Sequence, residues 1–154
     1  MRWISLIGWM VLCFAVGGVA GAGTGGDVNG WYRTLARPSF APPDWIFGPV
    51  WTLLYAMMAV AVWRVGLSAA SPLRTWSITL FLAQLALNFA WPWIFFRFHA
   101  LGAGLIEIVV LWLAIVATIS VFGRISPLAA WLMAPYLAWV TFATALNAGF
   151  WKLN

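Results

Sequence analysis

The side chains that most often carry chemistry are scarce in this sequence. Its 154 residues hold three acids, one histidine and one cysteine. Asp27 and Asp44 lie in or beside a long loop, Glu107 lies inside an apolar stretch, and His99 sits near Arg97 in a short link. No nucleophile–base pair is visible. One cysteine, Cys13, and one histidine allow neither a disulfide framework nor a Cys/His metal site. No phosphate-cradling loop of known pattern occurs. Hydrolytic, phosphoryl-transfer and metal chemistry are all disfavoured. Tryptophan is plentiful instead, with thirteen residues, and a few amides stand within apolar segments. Aromatic walls with a few placed amides suit a large, flat, apolar ligand.

The amides and aromatics fall on helical stripes. Gln84 and Asn88 are four apart, and Trp91 and Phe95 continue their face. They either bond neighbouring helices or line a cavity and offer donors to a ligand. Pro92 lacks an N–H, frees the carbonyl of Asn88 and predicts a bend. Further on, Tyr136, Trp139, Ala143, Leu146, Asn147 and Phe150 share one broad stripe, with Ala143 as a small gap among large neighbours. Trp51, Tyr55, Met58 and Val62 do the same on an earlier segment. Trp139 is near the middle of its helix, so interfacial anchoring does not explain it. Glu107 is a lone intramembrane carboxylate, either a proton or cation site or a partner of nearby amides. No second acid lies within the membrane to form a relay, which weighs against ion-coupled transport.

The elements that must position these residues follow from composition. The chain is 65% hydrophobic and only 7% charged. Soluble domains carry about a quarter charged residues, so this is an integral membrane protein. Five apolar segments are expected, near Trp3–Ala22, Trp45–Val65, Leu73–Phe96, Leu101–Phe122 and Pro127–Phe150. Each approaches the ~20 residues that a bilayer crossing needs. The fold class is thus an all-α membrane protein, one domain over residues 1–154, with five transmembrane helices. The first segment shares Arg2, an apolar run and small residues at its end with signal peptides, but its run is long for one and reads as a span. Gly17, Gly21 and Gly25 recur at four-residue spacing, a pattern that lets helices approach within a chain or across a dimer.

Short links, Arg64–Pro72, Arg97–Ala100 and Gly123–Ser126, imply that sequential helices are antiparallel neighbours. The Gly23–Pro43 connection is the long one. Its prolines stiffen it and its aromatics need an apolar surface, so it reads as a structured lid or as a membrane-surface loop. Net charge is +5, yet no basic run exists, which points to interface anchoring at the lipid bilayer and not to nucleic acid. Four basic residues fall on each side of five spans, so charge gives no orientation.

Three motifs, WYRTLARPSFAPPDWIFGPVWTLLYAMM, AQLALNFAWPWIFF and PYLAWVTFATALN, closely resemble the translocator protein family in order and over nearly the whole chain. Its bacterial members are called tryptophan-rich sensory proteins, and its mitochondrial members peripheral benzodiazepine receptors. The resemblance implies a five-helix protein in a bacterial membrane, commonly a homodimer. It implies a porphyrin ligand, protoporphyrin IX or a haem-like tetrapyrrole, and no required cofactor. Isoquinoline or benzodiazepine ligands are implied for some members. Carried over by motif, the pocket is lined by Tyr32 and Pro42 from the loop, and by Trp51, Asn88, Trp139, Ala143 and Leu146. Its function would be that of a sensor, scavenger or carrier. A light-dependent porphyrin-degrading enzyme using Trp51 and Trp139, and a transporter, are the alternatives. The resemblance also places the C-terminus on the same membrane side as the long loop. One departure stands out: the family's cholesterol motif needs a tyrosine where this chain has Ala148, between Leu146 and Lys152, which weighs against sterol binding there.

Overall fold

The computed structural model describes residues 1–154. Five long helices cross: α1 (Arg2–Asn29), α3 (Phe47–Gly66), α4 (Pro72–Pro92), α5 (Leu101–Ile125) and α6 (Pro127–Leu153). Between α1 and α3 lie a single turn, α2 (Trp31–Thr34), an extended stretch, and a 3-10 turn at Asp44–Ile46. All five long helices have the length and apolarity of membrane spans.

The helix starts are written locally. Ser71 and Ser126 each accept a backbone N–H with their side chain, from Arg74 at 3.1 Å and Ala129 at 3.3 Å. Each serine is followed by a proline at the first helical position, where a missing N–H costs nothing. Pro92 does disturb α4 as expected. The helix widens into a π turn over Trp93–Arg97, closed by Phe98 N–H to Trp93 O at 2.9 Å. His99 follows in the left-handed region, at φ 55°.

One expected boundary moves. The sequence predicts a loop over Gly23–Pro43, but α1 runs through Gly23, Gly25 and Gly26 to Asn29. Glycine is common in membrane helices, where the backbone has no water to bond instead. Gly23 also has a packing reason, since a Cβ there would strike the Trp93 ring. The non-helical part of the connection is therefore mainly Leu35–Pro43. It is tied down at several points. Ala36 N–H donates to Asn154 Oδ1 and Ala36 O accepts from Asn154 Nδ2, both at 3.0 Å. Pro38 lies against Gly149, where a Cβ would come within 2.7 Å of its ring. Loop and C-terminus thus share one end of the bundle, as the resemblance implied.

The helices close a ring in the order α1, α3, α6, α5, α4 and back to α1. Short links do give the α4–α5 and α5–α6 neighbours. Across α3 and α4 the expectation holds only weakly. These two meet sparingly and through side chains such as Tyr55 and Asn88, because α1 takes the flank of α3. Trp63 Nε1 donates to Arg2 O at 2.9 Å, and its ring stacks on Trp3 at 5.5 Å, fixing the start of α1 to the end of α3.

The glycine spacing on α1 is not one packing face. A Cβ on Gly17 would strike the Tyr55 ring, so Gly17 seats α3 against α1. At Gly21 and Gly25 a Cβ would meet nothing within 4 Å. The main core fills the end of the ring away from the loop, where Met58, Val62, Phe81, Phe122 and Met133 are fully buried. A smaller cluster of Tyr32, Phe95, Leu146 and Phe150 closes the loop end. Close packing of this kind holds membrane helices together, since lipid is as apolar as leucine.

Candidate ligand cavity

Between the two clusters lies a cavity of about 480 Å³, within the size range of small-molecule sites. Tyr32, Trp51, Asn88, Trp139, Ala143 and Leu146 all line it. Four separate elements, α2, α3, α4 and α6, bring these residues together. Pro42 does not reach the cavity wall. It stays in the loop, held there through its carbonyl, which accepts from Arg37 Nη2 at 3.0 Å.

Part of the wall is not marked in the sequence. Phe14, Gly21 and Thr24 of α1 line the cavity, as do Ile108 and Leu111 of α5. The apolar residues among them carry no spacing signal that separates cavity from core, and the glycine spacing marks a close helix approach and not a cavity. Trp91, Phe95, Asn147 and Phe150 also line it, in keeping with the aromatic and amide stripes on α4 and α6.

The floor is a hydrogen-bonded chain across three helices. Tyr55 Oη donates to Asn88 Oδ1 at 2.6 Å, and Asn88 Nδ2 donates to Tyr136 Oη at 2.8 Å. Tyr136 Oη donates onward to Gln84 Oε1 at 2.7 Å. Gln84 Nε2 ends the chain near Met58 Sδ at 3.9 Å. Gln84 is therefore a helix-bridging amide and not a cavity residue, while Asn88 is both. Nearer the loop, Asn147 Oδ1 accepts from Trp91 Nε1 at 3.0 Å and its Nδ2 donates to Leu101 O at 2.9 Å. Buried amides in a membrane protein are satisfied in this way because nothing else there can bond them. The result is a rigid wall that presents rings and methyl groups. Trp51 lies 5.6 Å from Tyr55 and 6.2 Å from Tyr136, centroid to centroid, and Trp139 packs on Phe47 and Phe142 at 5.8 and 5.4 Å.

Glu107 does not line the cavity. Both its carboxyl oxygens are buried without a hydrogen-bond partner, so it does not join the amides of α4 as one reading allowed. His99 stacks on Trp31 at 4.1 Å and lies 3.4 Å from Asp27, which also meets Arg97 at 3.6 Å. These groups hold the end of α1 to the α4–α5 link and stand outside the cavity. No group of His, Cys, Asp and Glu could hold a metal ion.

Comparison with known proteins agrees with this architecture. A profile described as the TspO/MBR family matches residues 9–152. The tryptophan-rich protein TspO of Chlorobaculum tepidum is 42% identical over 144 residues, 93% of this chain and 91% of that protein. The translocator protein of Homo sapiens is 41% identical over 127 residues, 80% of this chain and 75% of that one. Protein CrtK of Rhodobacter capsulatus is 38% identical over 125 residues, 80% of this chain and 78% of that one.

Proposed function

The chain belongs to the TspO/MBR family of integral membrane proteins, and on that premise we propose that it binds a tetrapyrrole such as protoporphyrin IX beneath its first loop, as a sensor, scavenger or carrier. One observation carries the reading. Six of the seven residues that the family resemblance marks for the pocket line a single cavity walled by aromatic rings. Such a wall favours a broad, flat, apolar body, which stacks on rings and needs few polar contacts. No cofactor is required for this binding. Isoquinoline or benzodiazepine ligands would compete for the same rings. A titration of purified protein with protoporphyrin IX, read by quenching of tryptophan fluorescence, tests it. Saturable quenching at one ligand per chain is expected, and non-saturating quenching would refute it.

A second reading has its own support. Trp51 and Trp139 both line the cavity, so two oxidisable indoles would flank a bound macrocycle. Under this reading the protein degrades porphyrin in light. Loss of porphyrin absorbance on illumination, faster than in a protein-free control, is the expected result. Transport coupled to Glu107 has less behind it, since that side chain lies off the cavity. Homodimer formation is proposed through α1, the least buried of the five spans.

A further inference from the structure

The cavity sorts its polar groups by depth. In the floor and wall, Tyr55, Asn88 and Asn147 spend their hydrogen bonds on one another and on neighbouring helices. Asp44 is the only charged side chain that lines the cavity, and it lies in the roof. Two guanidinium groups, neither of them part of the lining, hold it. Arg37 Nη2 is 3.2 Å from Oδ1, and Arg33 Nε is 4.0 Å from Oδ2. Arg37 is itself oriented, donating to Pro42 O at 3.0 Å and lying 5.3 Å above the ring of Tyr32, another cavity residue. Two cations against one acid leave the roof with a single net positive charge.

We infer that Arg37, with Arg33 beside it, reads carboxylate groups on the ligand: an acidic edge of a flat apolar molecule takes the place of Asp44 on these guanidinium groups. The inference rests on the cavity reading above and adds what the site selects. The exchange is one carboxylate for another, so neither arginine is left without a partner. Asp44 is about a third exposed and Arg33 is largely exposed, so the displaced acid is hydrated at once. Exposed ion pairs of this kind are worth little, and giving one up costs correspondingly little. Arginine suits the role, since its planar fork matches a carboxylate and is already held by Tyr32 and Pro42. The floor cannot make the same selection, because its amides are neutral and already tied to neighbouring helices, and so offer a carboxylate no charge to pair with. An acidic ligand therefore binds with its body among the rings and its acid edge toward the loop.

The test compares protoporphyrin IX with its dimethyl ester, which keeps the macrocycle and removes both charges. Affinities are measured in the same detergent for the wild type, Arg37→Gln and Asp44→Asn. The quantity read is the change in the acid-to-ester affinity ratio between proteins, in which partition of the probes into micelles cancels. The ratio is expected to fall roughly 2- to 5-fold in Arg37→Gln, the scale of one partly exposed charged contact. It is expected to rise in Asp44→Asn, where the guanidinium groups have lost their competitor. Added salt should weaken the acid and leave the ester unchanged in the wild type, which needs no variant to fold. A ratio that stays the same in Arg37→Gln, a parallel loss of both probes, or a salt-independent acid overturns the inference while leaving the cavity reading standing. If neither probe binds the wild type, both fall together.

Discussion

Ala143 gives the most direct probe of the cavity. It sits one turn beyond Trp139 on α6, half-buried, with its methyl on the cavity wall. Threonine at this position adds a methyl and a hydroxyl. The hydroxyl has a ready acceptor, since Thr141 and Thr144 on the same helix already bond the carbonyls four residues back, at 2.8 and 2.7 Å. At residue 143 the equivalent acceptor is Trp139 O. The polar atom is thereby satisfied in the free protein, and the fold should survive. The added methyl has no such outlet and occupies space that the ligand would use. Overpacking of a fitted site costs about 1–3 kcal/mol. If that falls on the bound state alone, affinity drops roughly 5- to 150-fold. Ala143→Thr is thus expected to keep its helical circular dichroism and its unfolding midpoint while its fluorescence-quenching curve shifts to higher porphyrin concentration. Wild-type affinity in a folded Ala143→Thr protein would mean that ligand does not occupy the space beside α6.

Trp139→Phe should retain much of the binding, because a ring still packs on Phe47 and Phe142, and should lose most light-driven loss of porphyrin absorbance; unchanged photochemistry would remove Trp139 from that reaction. Tyr136→Phe removes the hydroxyl that joins Asn88 to Gln84 in a fully buried setting. Membrane hydrogen bonds average only ~0.6 kcal/mol, so two of them predict a loss of about 1–2 kcal/mol, read as a lower midpoint in denaturing detergent. A midpoint equal to wild type would show that the floor network contributes nothing to stability. Gly25→Leu has room within the chain and should convert dimers to monomers if α1 forms the interface, whereas Gly17→Leu should disturb the fold by striking Tyr55. Unchanged oligomer size in Gly25→Leu takes that part of α1 out of the interface.

The parts of this molecule legible in sequence are those where one residue type has one physical use. Apolar runs of span length allow only membrane helices, and serine followed by proline marks where two of them start. Stripes of Trp, Tyr and Asn foretold the α3, α4 and α6 walls, because side chains four apart on a helix share a face whatever surrounds it. The misses share the opposite property. Glycine marks both loops and close helix contacts, so the sequence pattern ends α1 before the structure does. Gln84 and Asn88 sit on one face, yet only Asn88 borders the cavity. Their difference lies in Tyr136, which reaches across from α6 to seal Gln84 below the floor. No local pattern in α4 contains that information. The contribution of Phe14 and Thr24 from α1 was invisible for the same reason, since it depends on the order in which the helices close the ring.

That division bears on what kind of site this is. The wall is built from helix faces whose amide and tyrosine groups bond across to neighbouring helices, so its shape is fixed before any ligand arrives. A preformed apolar wall recognises size and flatness and cannot distinguish an acid from its ester. The roof is formed by Tyr32 and Asp44, and the loop between them is held by Asn154, by Gly149 and by the Arg37–Asp44 pair, contacts that are partly exposed and exchangeable. Chemical selection must therefore reside in the roof and shape selection in the wall. A substitution such as Ala143→Thr should weaken acid and ester alike. Arg37→Gln should weaken the acid alone. If the two substitutions changed both probes in the same proportion, roof and wall would not be separate devices, and the cavity would be selecting by a single contact surface.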